Sequence, residues 1–131
     1  MRSHILRSSV LAGLVIGSLA SVTTPVVAEQ TSVLDATATA NADGTYSFSA
    51  TLSHRDEGWS HYANKWEVLT PQGAVIGTRT LFHPHVDEQP FTRSLARVEV
   101  PLGVTEVIIR GSDNVHGAGE RTFTVKLPPR R

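Results

Sequence analysis

The sequence predicts an all-β sandwich, and three observations predict it. Apolar and polar residues alternate with a period of two through most of the chain beyond residue 30, the pattern of strands with one buried face. Clusters of Gly, Pro, Asn and Asp interrupt that alternation at spacings of roughly ten residues, which suits short antiparallel strands joined by turns. No segment carries an apolar stripe at helical spacing with capping residues at its ends.

The elements follow in order. Residues 32–40 (SVLDATATA) form a first strand with few large side chains, and Asn41-Ala42-Asp43-Gly44 turns the chain. Residues 45–53 (TYSFSATLS) give the cleanest pattern: Tyr46, Phe48, Ala50 and Leu52 on one face, Ser and Thr on the other. Residues 62–70 (YANKWEVLT) place Tyr62, Trp66 and Val68 inward, and Pro71-Gln72-Gly73 turns back into 74–82 (AVIGTRTLF). In 92–100 (TRSLARVEV) Val98 and Val100 are in phase, but Arg93 and Arg97 break the alternation and predict a bulge or an edge position. Pro101-Leu102-Gly103 is the next turn, and 104–110 (VTEVIIR) and 121–127 (RTFTVKL) complete the set. Residues 128–131 (PPRR) read as a frayed end. The count is about seven antiparallel strands, that of an immunoglobulin-like or fibronectin-like sandwich. Trp66 falls on the third strand, where such folds bury a tryptophan, although the cysteines that accompany it in antibody domains are missing.

Residues 1–28 read as a Sec-type signal peptide, and 29–131 as one β-sandwich domain. Arg2 and Arg7 give a positive start, 10–20 (VLAGLVIGSLA) is an apolar run too short for a convincing span, and Val26-Val27-Ala28 offers small residues for cleavage. A secreted or periplasmic location is therefore expected, with no membrane span after cleavage. The remaining chain keeps ten of the twelve Lys/Arg and all twelve Asp/Glu, a net charge of −2, which excludes a nucleic-acid footprint. There is no cysteine, so disulfides, thiolate metal sites, cysteine nucleophiles and a lipid-modified cysteine are not expected. Any metal site must use imidazole, carboxylate and carbonyl donors.

Tight turns reverse the chain, so successive loops alternate between the two ends of a sandwich. With the 41–44 turn at the bottom, 54–61 (HRDEGWSH), 82–91 (FHPHVDEQPF) and 111–120 (GSDNVHGAGE) fall at the top. Every histidine beyond the leader then lies at that end: His54, His61, His83, His85 and His116. In an extended segment His83 and His85 point the same way, and Pro84 stiffens the pair. With a third imidazole from another loop they suit Zn²⁺ or Cu²⁺. His83, His85 and His116 are the first candidates as metal ligands, with His54 and His61 next. His54 continues the inward parity of Phe48, Ala50 and Leu52 and should cap the core. Asp56, Glu57, Asp87, Glu88 and Asp113 can ligate directly or orient imidazoles through the second ring nitrogen.

Other residues invite plainer readings. Trp59 is expected to fold over the top of the core as a lid, and Tyr62 to join the inward face. Arg79, Arg93, Arg97 and Arg110 are expected to pair across strands with Glu67, Glu99 or Glu106. Ser60 beside His61 and Ser112 near Asp113 supply residue types of a catalytic triad, but neither sits in a Gly-x-Ser-x-Gly elbow, and nothing argues for an enzyme. The sequence thus supports a secreted or periplasmic sandwich that binds Cu or Zn through histidines in loops at one end. The alternative is a metal-free extracellular interaction module that uses the same loops to bind a protein or a glycan.

Overall fold

Eight strands form, seven of them where the alternation places them. They are β1 (Ser32–Ala40), β2 (Tyr46–Ser53), β3 (Ala63–Leu69), β4 (Val75–Thr80), β5 (Phe91–Val98), β6 (Glu106–Asp113), β7 (Gly117–Ala118) and β8 (Phe123–Lys126). The computed structural model describes residues 12–21 and 29–131, and among these there is no helix, hence none long and apolar enough to cross a membrane. Residues 12–21 form neither helix nor strand; the rest of the expected leader, including its cleavage point after Ala28, lies outside the described residues.

The strands make two antiparallel sheets, one ordered β1-β2-β5, the other β4-β3-β6 with β7 and β8 both on the far edge of β6. β8 takes Glu106–Ile109 of that edge and β7 takes Ser112 and Asp113. Where they change over, Gly119 and Gly111 admit the chain entering β1. A Cβ on Gly119 would lie 2.0 Å from the Thr31 carbonyl oxygen, so no larger residue fits. β7 escaped the sequence reading because two residues, one of them glycine, carry no alternation.

The inward faces form one core between the sheets. From β2 come Tyr46, Phe48, Ala50 and Leu52, all buried as their parity predicts. Trp66 and Val68 of β3, and Val107 and Ile109 of β6, face them from the other sheet. Trp66 is fully buried, and burial of a side chain of that size stabilises a small domain by several kcal/mol, on the order of 3–5 if judged by truncation to alanine. β5 shows both features that its arginines predict. It is the edge of the three-stranded sheet, and its register against β2 slips between Leu95 and Val98. Arg97 occupies the slip with φ 56°, an unusual conformation for a residue with a Cβ.

Two expectations are corrected. The 128–131 end is tied down rather than frayed: Arg130 donates to the carbonyls of Gly44 (2.7 Å) and Val100 (2.6 Å), its guanidinium lies over the Tyr46 ring, and Tyr46 Oη donates to the Pro128 carbonyl. Among the arginines, Arg110 pairs with its cross-strand neighbour Glu67 as expected, at 3.1 Å, but Arg93 pairs with Glu88 in the preceding loop.

Candidate metal centre

The loops alternate as the turns require, and three of them meet at one end. Segment 54–61 leaves β2 in one sheet and enters β3 in the other. Segment 81–90 joins β4 to β5, and residues 114–116 join β6 to β7. Side chains stitch these loops together. Asn114 Oδ1 accepts from the Tyr62 backbone N–H (2.8 Å), and its Nδ2 donates to the Trp59 carbonyl (3.1 Å). Gln89 donates to the His85 carbonyl and accepts from the His54 backbone N–H, tying the second loop to the first.

His54 continues the β2 parity and is buried, as its position predicts. Its Nδ1 lies 2.6 Å from Asp56 Oδ1. Asp56 is buried too, and it accepts from the backbone N–H groups of Ala63 (2.9 Å, Oδ1) and His85 (2.7 Å, Oδ2). A carboxylate with these partners acts as an acceptor, so His54 donates through Nδ1, and the lone pair of neutral His54 is on Nε2. That nitrogen points at His61 Nε2, 3.2 Å away. On its other side His61 Nδ1 faces Glu57 Oε2 at 3.7 Å. Both imidazoles therefore have a carboxylate behind them and Nε2 in front. For His54, hydrogen-bonded to Asp56, this is the arrangement that fixes ring orientation and raises basicity in histidines that ligate metals; Glu57, exposed and 3.7 Å from His61, makes no such bond.

Asp113, the last residue of β6, completes the group. Its carboxylate is buried, with Oδ1 3.3 Å from His61 Nε2 and Oδ2 4.0 Å from His54 Nε2. Burial pushes its carboxyl up, but the backbone N–H groups of His116 and Val115 and the nearby His116 and His54 outweigh it and hold it below the usual value. Asp113 Oδ2 is buried without a hydrogen-bond partner among the described residues. One donor atom from each of His54, His61 and Asp113 lies within 4.8 Å of the others, so the group can hold a metal ion. Bonds of about 2.0–2.2 Å to nitrogen and oxygen put tetrahedral ligands about 3.3–3.6 Å apart, close to the 3.2 Å between the two Nε2 atoms and the 3.3 Å from His61 Nε2 to Asp113 Oδ1. The donor set fits a cation on chemical grounds as well. A single imidazole proton cannot serve both the facing nitrogen and the carboxylate, and an orphaned buried carboxylate oxygen costs free energy until something positive meets it.

The remaining histidines are placed differently. His116 borders the group: its Nδ1 is 3.2 Å from Asp113 Oδ1 and its ring centre 4.8 Å from that of His61. His83 and His85 do lie side by side, with ring centres 4.6 Å apart, but outside the group, with His85 Nδ1 4.0 Å from Asp56 Oδ2. His85 stacks on Phe91 at 4.0 Å, and its Nε2 is 3.1 Å from Arg93 Nη2. Burial first, then the charges of Arg93 and His83, pushes the His85 pKa down. His83 is exposed, with Nδ1 facing the carbonyl of Pro84. Asp113 was legible as a ligand type, and Asp56 and Glu57 as acids able to orient an imidazole. Trp59 corrects its expectation: it is 65% exposed and meets Tyr62 edge-on at 5.5 Å rather than covering the core. Its carbonyl accepts from Asn114 Nδ2 in the neighbouring loop.

A protein of Halomicrobium mukohataei named "Putative lipoprotein" is 41% identical to this chain over 96 residues, 73% of this chain and 47% of that protein. The chain thus spans about half the length of the curated relative it matches. No family model matches the chain, and no solved structure matches it.

Proposed function

We propose that this domain is exported and binds one divalent transition metal, Cu²⁺ or Zn²⁺, at His54, His61 and Asp113. The observation that carries this reading is the convergence of two imidazole Nε2 atoms on a buried carboxylate, with a second carboxylate behind each ring. Two nitrogens and one oxygen suit zinc and copper(II), and the absence of cysteine disfavours copper(I). Carriage of the ion, sensing, or stabilisation of the three loops are the roles such a site serves. Export rests on the leader-like features of residues 1–28, and the name of the Halomicrobium relative supports a place at the cell envelope or beyond. Metal analysis of protein purified without a His tag tests the reading, together with titration by Zn²⁺ and Cu²⁺. About one equivalent should bind to the native chain and none to His54→Ala/His61→Ala; an untagged protein that takes up neither ion sinks the proposal.

The exposed indole of Trp59 favours a second reading. With Phe82, Val86 and Val115, also exposed on the same loops, it offers apolar surface for a protein or glycan partner without any ion. Binding that survives a chelator but not Trp59→Ala would favour this reading over the first.

A further inference from the structure

We infer that His116 is the closing ligand of the centre. On this view it swings onto an ion already held by His54, His61 and Asp113, supplies the fourth donor, and controls how fast the ion leaves. The inference rests on the metal reading above and adds a saturated coordination shell and a route of exchange.

Two atoms in one short turn have unmet needs. Asp113 Oδ2 and His116 Nδ1 are both buried, and neither has a hydrogen-bond partner among the described residues. His116 Nδ1 is 3.2 Å from Asp113 Oδ1, the same spacing that separates the two Nε2 atoms of His54 and His61. Three successive edges, His54–His61, His61–Asp113 and Asp113–His116, thus measure 3.2, 3.3 and 3.2 Å. Each is about the ligand–ligand edge of a tetrahedral site. His116 still stands outside the compact three-residue group, so its ring must rotate inward to complete the set.

The backbone permits that rotation. Asp113 Oδ1 accepts from the N–H groups of both Val115 and His116, which fixes the turn beneath the imidazole. Gly117, at φ 73°, turns the chain immediately afterwards. The side chain of His116 is 24% exposed, against 14% for His61 and none for His54 and Asp113, so of the four it lies nearest to solvent, although its Nδ1 is itself buried. Four protein donors make a closed site, which holds an ion, whereas three and an open position would let substrate reach it. The geometry therefore points to an ion carried as cargo or structure and released through the 113–117 turn.

Cobalt(II) bound to the full chain reports this through its visible absorption, which responds to the number and kind of ligands. In the native protein the bands should not move when azide or imidazole is added. His116→Gly should bind Co²⁺ at least about tenfold more weakly, lose it to a chelator faster, and regain the native bands when imidazole fills the vacated position. His116→Asn, compatible with the turn but not with this ligation, should show the same weakening, with circular dichroism confirming that both variants fold. The inference is overturned if azide shifts the native spectrum, or if both variants match the native protein in affinity and release. In either case Co²⁺ still binds and the three-ligand reading stands. If neither native nor variant protein binds Co²⁺, both readings fall together.

Discussion

Two histidine pairs sit at the same end of this sandwich, and their chemistry differs. His54 and His61 turn Nε2 toward each other and toward a buried carboxylate, with Asp56 and Glu57 behind their Nδ1 atoms. His83 and His85 lie side by side, yet one is exposed and the other is pressed against Phe91 with a guanidinium at its Nε2. A positive group at the outward nitrogen suits an acceptor imidazole and opposes a second cation there. What an imidazole can bind is decided by what meets its two nitrogens, more than by how close another histidine lies in sequence.

Asp56 joins the pairs, since it accepts from the His54 ring and from the His85 backbone. Its replacement by alanine should have the largest effect. Asp56→Ala leaves the His54 ring and two backbone N–H groups without their acceptor in a buried place, and should cost about 3–5 kcal/mol in urea unfolding. A loss below about 1 kcal/mol would show that the pairs do not depend on it. Next in size is the effect of an ion. With Zn²⁺ at about a hundredfold above its dissociation constant, stabilisation of about 2.7 kcal/mol should raise the melting temperature by about 10–20 °C. The shift should persist in His83→Ala/His85→Ala and vanish in His54→Ala/His61→Ala, and the reverse pattern would exchange the roles assigned to the two pairs.

A smaller effect separates the pairs by pH. The His85 pKa is lowered in the fold, so the unfolded chain binds its proton first. Its contribution to stability is present above the ordinary imidazole value near 6.5 and is lost as pH falls through the lower folded value. In metal-free buffer, His85→Gln should make stability between pH 7 and 5 less steep than in the native protein; an unchanged slope would mean that His85 is protonated alike in both states. Smallest of all is His83→Ala, expected within about 0.5 kcal/mol of native because the side chain is exposed. A larger loss would reveal a contact that the exposed ring does not show.

Much of the fold was legible because burial enforces parity. Tyr46, Phe48, Ala50, Leu52 and His54 all take the side that a period of two assigns, since one slip would turn every one of them to solvent. The arginines of β5 marked its edge and its bulge for the same reason: charges are tolerated where pairing ends. Loop polarity was legible too, and it brought the right segments to one end. Which imidazoles face one another across loops was not. That depends on χ angles set by Asp56, Phe91 and Arg93, whose contacts with His54 and His85 reach across 2, 6 and 8 residues and leave no periodic trace. Trp59 was misplaced for a like reason, since its loop is tied by a hydrogen bond from Asn114, 55 residues away, which leaves no periodic trace either.

The course of segment 54–61 has a mechanical consequence. His54 hangs from the end of β2 in the three-stranded sheet, while His61 lies just before β3 and Asp113 ends β6 in the five-stranded one. At that rim the layers are already tied by the hydrogen bonds of Asp56 and Gln89. An ion seated among these three residues would act as a rivet through both layers. Under load, the layers could not slide past each other there without breaking a coordination bond. Single molecules stretched across residues 54 and 113 should therefore yield at a higher force with the ion than without it, while those stretched across the opposite rim, where Arg130 does the fastening, should yield at the same force in either case.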